Sequence, residues 1–213
     1  MNATDKSGSQ QAVGKAARDI VTQLIKAYRT ERGIHAETIV AAAAALSGEW
    51  ALRASGVPLP DSGWIVGGTI GELSVSGDSS AWKIICEGAV RAGARTADLL
   101  APDAVIARTV GAFGQSVYPP LSVTRQHWPS QWPPHAAARF REYVVDIGRQ
   151  YQLEPRELMT ACATATAFLI HEGRDALAPD VSCRLALETM IGVSRMAPLS
   201  PERGPGEGTA LPQ

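Results

Sequence analysis

The chain has 213 residues, a mass of 22.5 kDa and a formal net charge of −1, with 20 Lys and Arg against 21 Asp and Glu. That length fits one domain or two small ones, and so even a charge balance provides no global field to hold a polyanion, which argues against a nucleic-acid partner. No apolar run reaches the ~18–20 residues that span a bilayer, and three cysteines are too few for a disulfide framework, so a cytoplasmic protein without membrane contact is expected.

Apolar residues make up 45% of the chain, and 34 of its residues are alanine. Such a composition favours closely packed helices over sheets. Residues 1–9 (MNATDKSGS) are small and polar, and residues 198–213 (PLSPERGPGEGTALPQ) are rich in Pro and Gly. Both ends are therefore expected as disordered tails around a single helical domain at 10–197.

The first helix is expected from about Gln10 to Glu31. Ala17, Ile20, Val21, Leu24, Ile25 and Tyr28 share one side of a 3.6-residue wheel, and Gly33 supplies a stop. A second helix from His35 to Ala54 contains Ala41–Leu46 (AAAAAL), whose methyl-sized side chains allow another backbone to come close. The pattern then changes. Trp64-Ile65-Val66, Gly67-Gly68 and Thr69 to Val75 read as a minor β-hairpin about a Gly-Gly turn. A third helix, capped by Asp78 or Ser79, turns Trp82, Ile85, Cys86, Ala89 and Val90 inward and stops near Gly93. A fourth opens at Pro102 and ends near Gly114.

Residues 117–134 (VYPPLSVTRQHWPSQWPP) hold five prolines, two tryptophans and one histidine, a density that excludes helix and inner strand. The segment is long for a plain connector and reads as a packed lid or a functional loop. Three proline-led helices follow, over about Pro134–Tyr151, Pro155–Glu172 and Pro179–Met196. The middle one is apolar nearly all round, as a buried helix reads, and its Ala and Thr positions match the poly-Ala helix in size, so these two are expected to pack together. The sum is an all-α domain of about seven helices in one bundle-like body.

Catalytic patterns are sparse. His35-Ala36-Glu37 is an H-x-E, half of a zinc-deaminase signature whose P-C-x-x-C partner is missing. Residues two apart on a regular helix are separated by ~200°, so His35 and Glu37 cannot face one metal from it. Glu37 instead suits the first helical turn, where the dipole favours a carboxylate. His171 and Glu172 close the buried helix, where a histidine can bond open carbonyls. No pair among four histidines and three cysteines has C-x-x-C or H-x-x-x-H spacing, so neither a metal nor another cofactor is expected. Gly67–Gly71 lacks the Lys of a phosphate-binding loop, and no G-x-S-x-G occurs. Lys15, Arg18, Lys26 and Arg29 form a basic stripe flanked by Asp19 and Glu31, which reads as a solvated face.

Trp128-Pro129 and Trp132-Pro133 repeat at four residues, beside His127. Aromatics next to prolines either anchor an irregular loop on a helical core or grip a peptide or flat ligand. Any ligand site is expected between this loop and the hairpin, with Trp128, Trp132, His127 and Trp64 as its candidates.

Arg32-Gly33-Ile34-His35-Ala36-Glu37-Thr38, with Ser80-Ala81-Trp82 and Val110-Gly111-Ala112-Phe113-Gly114, resembles a bacterial α-helical family marked by an R-G-x-H-A-E-T motif and without assigned activity. The resemblance covers about residues 32–118. It implies a shared helical fold and a bacterial cytoplasmic origin, and it transfers no catalytic residue. The functional expectation is a non-enzymatic module, a homo-oligomer and by preference a dimer, that binds a protein or small molecule. The alternative is a metal-assisted hydrolase-like enzyme using His35, Glu37, His171 and Glu172, which requires the start of the second helix and the end of the sixth to meet.

Overall fold

The structure, a computed structural model, describes residues 3–112 and 118–200. Seven helices of ten residues or more carry the fold: α1 (Ala3–Tyr28), α2 (Ala36–Ala54), α4 (Ala81–Arg91), α5 (Pro102–Gly111), α6 (Pro133–Tyr151), α7 (Pro155–Glu172) and α8 (Pro179–Ser194). A short segment, α3 (Gly68–Gly71), lies between α2 and α4. Each long helix corresponds to one expected from the sequence. α1 starts at Ala3, ahead of the expected Gln10; no proline interrupts this stretch, and the Ser9 hydroxyl donates to Glu157 of α7. The fourth expected helix reaches Gly111, while Phe113 and Gly114 fall outside the described residues, as do 201–213 of the expected tail. The cap of α4 is Ser80 rather than Asp78 or Ser79: its hydroxyl accepts the Lys83 N–H at 3.4 Å and donates to the Val75 carbonyl at 2.8 Å.

The expected hairpin does not form. Among the described residues there is no strand, and Trp64 pairs at a single position with distant Met196. Gly68–Gly71 is helical, and Glu72–Ser76 continues it as a π-turn, closed by Gly77 N–H donating to Glu72 C=O at 2.8 Å. Ile70, Leu73 and Ser74 are the buried positions, and their spacing of three and four is helical rather than alternating. The Ser74 hydroxyl bonds back to the Ile70 carbonyl at 2.6 Å. Gly67 is thus the extended entry to a helix instead of half of a turn. Val90, expected inside, is 43% exposed, whereas Trp82, Ile85 and Ala89 are buried as expected.

α2 is the centre of the molecule. Thr38 through Leu52 are all buried, and α7 and α8 pack along the helix while α6 and α1 cover its remaining sides. The expected pairing of α2 with α7 is present. Side chains this small place backbones in direct contact: a Cβ built on Gly48 would lie 2.3 Å from the Met190 carbonyl oxygen of α8. One on Gly88 would lie 2.3 Å from the Ala167 Cβ, where α4 meets α7. α2 and α8 run in the same sense, since Ala41 clusters with Leu185 and Gly48 meets Met190 and Ser194.

Two buried carboxylates tie the outer elements to this centre. Glu49 on α2 is 2% exposed and receives both Arg141 of α6, through two nitrogens, and Arg53 at 2.8 Å. Glu188 on α8 is 5% exposed and pairs with Arg108 of α5.

These contacts set three expectations for stability. Gly48→Ala should destabilise the fold by about 3 kcal/mol, because its methyl meets main chain that cannot rotate away. Ala165→Leu, at a position with 0% exposure, should cost ~1–3 kcal/mol by overpacking. Glu49→Ala should cost about 3–5 kcal/mol, since it strands Arg141 without its carboxylate. Chemical denaturation of each variant measures all three.

Candidate ligand cleft in the Trp-Pro segment

The proline-rich segment from Tyr118 to Trp132 is tied to the helices by hydrogen bonds at Tyr118, Ser122, His127, Ser130 and Gln131. Its prolines forbid a regular ladder, so side chains supply the bonds instead. Tyr118 is 3% exposed and donates its hydroxyl to the Thr189 carbonyl of α8 at 3.0 Å. Burial pushes that phenol up, which keeps it a neutral donor. The ring lies so close to α8 that a Cβ on Gly192 would come within 2.6 Å of its oxygen. The Ser122 amide donates to Glu188 Oε2 at 2.7 Å, and its hydroxyl reaches the other carboxylate oxygen. The Trp128 indole N–H donates to the Val123 carbonyl at 3.1 Å, closing the segment on itself around the short 3₁₀ turn Arg125–His127.

The second half is latched to the start of α2 and the end of α1. His127 Nδ1 sits 2.9 Å from Glu37 Oε1, and His35 Nε2 lies 3.5 Å from Glu37 Oε2, so one carboxylate bridges two imidazoles. His35 Nδ1 in turn meets Thr38 Oγ1 at 2.8 Å. That hydroxyl oxygen also accepts the Ser130 amide at 2.8 Å and lies 2.9 Å from Ser130 Oγ. Tyr28 donates to Gln131. His35 precedes the helix with extended backbone, which frees its ring from helical spacing and lets it reach Glu37. Partial burial pushes the Glu37 carboxyl up, but the His127 bond, its own backbone amide and the two nearby rings outweigh that and hold it below its ordinary value.

The result is a narrow apolar cleft with about 10 Å³ of free volume, room for roughly one water between its walls. Tyr118, Leu121, Trp128 and Trp132 line it together with Pro119, Pro120, Pro129 and Pro133. Tyr118 and Trp132 pack edge to face at 4.9 Å between centroids, and the Arg125 guanidinium lies over Trp128 at 5.9 Å. The polar ends of Tyr118 and Trp128 are already spent on backbone carbonyls, so the cleft offers shape and flat apolar surface rather than directional bonds.

Of the sequence candidates, Trp128 and Trp132 line the cleft, and His127 belongs to the latch beside it. Trp64 lies elsewhere, with its backbone paired to Met196, and the cleft forms within the Trp-Pro segment instead of against the region once expected as a hairpin. His35 and Glu37 come together; His171 and Glu172 stay exposed at the end of α7, where the His171 carbonyl accepts from Arg174 at 2.8 Å. Among the described residues no hydrogen bond or ion pair joins the two pairs, and no group of three or more His, Cys, Asp or Glu could hold a metal ion. The basic stripe Lys15, Arg18, Lys26 and Arg29 is exposed. No helix among the described residues is long and apolar enough to cross a membrane. Sequence reasoning missed Thr38, Ser130 and Tyr118; only the spacing of His35 and Thr38 at i, i+3 pointed toward one of these bonds. Comparison with models of known protein families, with curated proteins and with solved structures finds no match.

The latch has a pH signature. A carboxyl whose folded pKa lies below its unfolded value contributes stability that is complete above the unfolded value and is lost as pH falls through the folded one. The stability difference between the wild type and Glu37→Gln should therefore be present in full just above the ordinary carboxylate range and shrink as pH falls below it. Thermal denaturation of both proteins across that range measures the difference.

Proposed function

We propose that this protein is a non-enzymatic binding module whose Trp-Pro cleft takes a flat apolar group, either a small aromatic molecule or a prolyl or aromatic side chain presented by a protein. The observation that carries this reading is a cleft walled by two tryptophans, a tyrosine and prolines on a segment fixed by bonds at both ends. Tryptophan and tyrosine contribute much contact area at small entropic cost, and a guest gains it by parting the narrow walls of a segment whose ends are already fixed.

The module acts as a homodimer in a bacterial cytoplasm. Support for self-association comes from apolar side chains left at the surface of adjoining helices, Val90 on α4 at 43% exposure and Phe168 on α7 at 39%. These helices pack closely, with Gly88 against Ala167.

Titration with indole and with a proline-rich peptide, followed by intrinsic tryptophan fluorescence and by amide chemical shifts, tests the cleft. At least one probe should shift the signals of Trp128 and Trp132, and Trp132→Ala should weaken its binding about tenfold or more. If neither probe perturbs this segment, the reading fails. Sedimentation equilibrium tests the dimer, which Phe168→Glu should convert to monomer.

A further inference from the structure

The Trp-Pro segment carries charge of one sign only. Residues 117–134 contain Arg125 and His127 but no Asp or Glu. The carboxylates that reach it from the helices are already engaged, Glu188 by Arg108 and Ser122, and Glu37 by His127 and His35. Arg125 is left over. Among the described residues it has no ion pair, whereas Arg53, Arg95, Arg108, Arg141 and Arg149 each hold a carboxylate. Local geometry fixes its place. Arg125 and Trp128 are three apart across the 3₁₀ turn, where positions i and i+3 eclipse, and the Trp128 amide closes that turn on the Arg125 carbonyl at 3.1 Å. The guanidinium thus lies over the Trp128 ring, 5.9 Å from its centroid, while the indole N–H is tied to the Val123 carbonyl. An exposed arginine stacked on an aromatic face still has its N–H edge to offer a planar anion.

On the reading of this cleft as a binding site, we propose that its guest is a small aromatic acid, whose ring parts Trp128 from Trp132 and whose carboxylate accepts from the Arg125 guanidinium at the rim. A flat ring suits walls that are apolar and close together. One carboxylate matches one guanidinium, whose forked N–H groups fit both of its oxygens. A peptide is the poorer fit. Each of its residues brings an amide and a carbonyl that need partners, and Tyr118 and Trp128 already spend their donors on Thr189 and Val123. An aromatic amine is repelled by the same Arg125 that draws the acid. The ion pair forms at the surface, where salt screens it, so the charge selects among guests of one shape while the ring supplies most of the affinity.

The test titrates the full chain with indole, indole-3-acetate and tryptamine, which share a ring and differ in charge, and follows the amide and indole N–H chemical shifts. All three should move the signals of Trp128 and Trp132. Indole-3-acetate should bind about fivefold tighter than indole at low salt, and tryptamine more weakly than either. Raising the salt from about 20 mM to about 0.5 M should draw the three affinities together. Arg125→Gln should bring the ratio of indole-3-acetate to indole close to one. Arg139→Gln removes a second exposed guanidinium, which lies over Tyr28 and Phe140 at 5.4 and 5.1 Å from their centroids, and should leave that ratio unchanged. The proposal is overturned if the acid binds no tighter than indole, if Arg125→Gln keeps the preference, or if Arg139→Gln abolishes it equally. It also falls if no indole binds while a proline-rich peptide does, an outcome that leaves the cleft standing as a binding site. Silence from the indoles and the peptide alike removes both.

Discussion

The arrangement depends on how closely main chains can approach α2. A helix with alanine, serine and glycine at eight of its fifteen buried positions gains little from each of those side chains, but there it admits neighbours at distances that leucine would forbid. The burial of fifteen consecutive residues of α2 follows from this, with α7 and α8 against it and α6 and α1 closing the rest. At Gly48 the limit is reached, with the Met190 carbonyl standing where a methyl would go. Closeness of this kind is unforgiving, since displaced backbone has no rotamer to adopt.

With α2 in place, the Trp-Pro segment has fixed points to hang from. Its anchors belong to three helices, Tyr28 of α1, Glu37 and Thr38 of α2, and Glu188 and Thr189 of α8, and Arg108 of α5 in turn holds Glu188. Buried charge is used sparingly here. Glu188 compensates the amide and hydroxyl of Ser122 as well as a guanidinium, so its burial is matched by bonds on both oxygens. Loop and bundle are therefore one construction, in which polar groups organise what the prolines cannot.

Most of the fold was legible because helix signals are local. Proline at N1 marked α5, α6, α7 and α8, and the apolar stripe of α1 and the alanine run of α2 declared their buried faces. The pairing of α2 with α7 followed from matching side-chain size. The region after Trp64 was misread because Gly67-Gly68 has the composition of a turn and Thr69–Val75 the residue types of a strand. Tertiary packing of Ile70 and Leu73 imposed a helical period on them. The site was half legible. Trp128 and Trp132 stood out by composition, whereas the bond between Glu37 and His127 joins residues far apart in the chain and leaves no trace in local pattern.

The spread of anchors along the Trp-Pro segment has a mechanical meaning. A wedge driven between Trp128 and Trp132 pushes on Ser130 and Gln131, and through them on the first turn of α2 and the last turn of α1. A guest held there would bear on a clamp whose jaws are rooted in separate rods. Under the proposed function, a guest seated there would be coupled to the junction of those rods, and a change in that junction would alter its hold to the same degree.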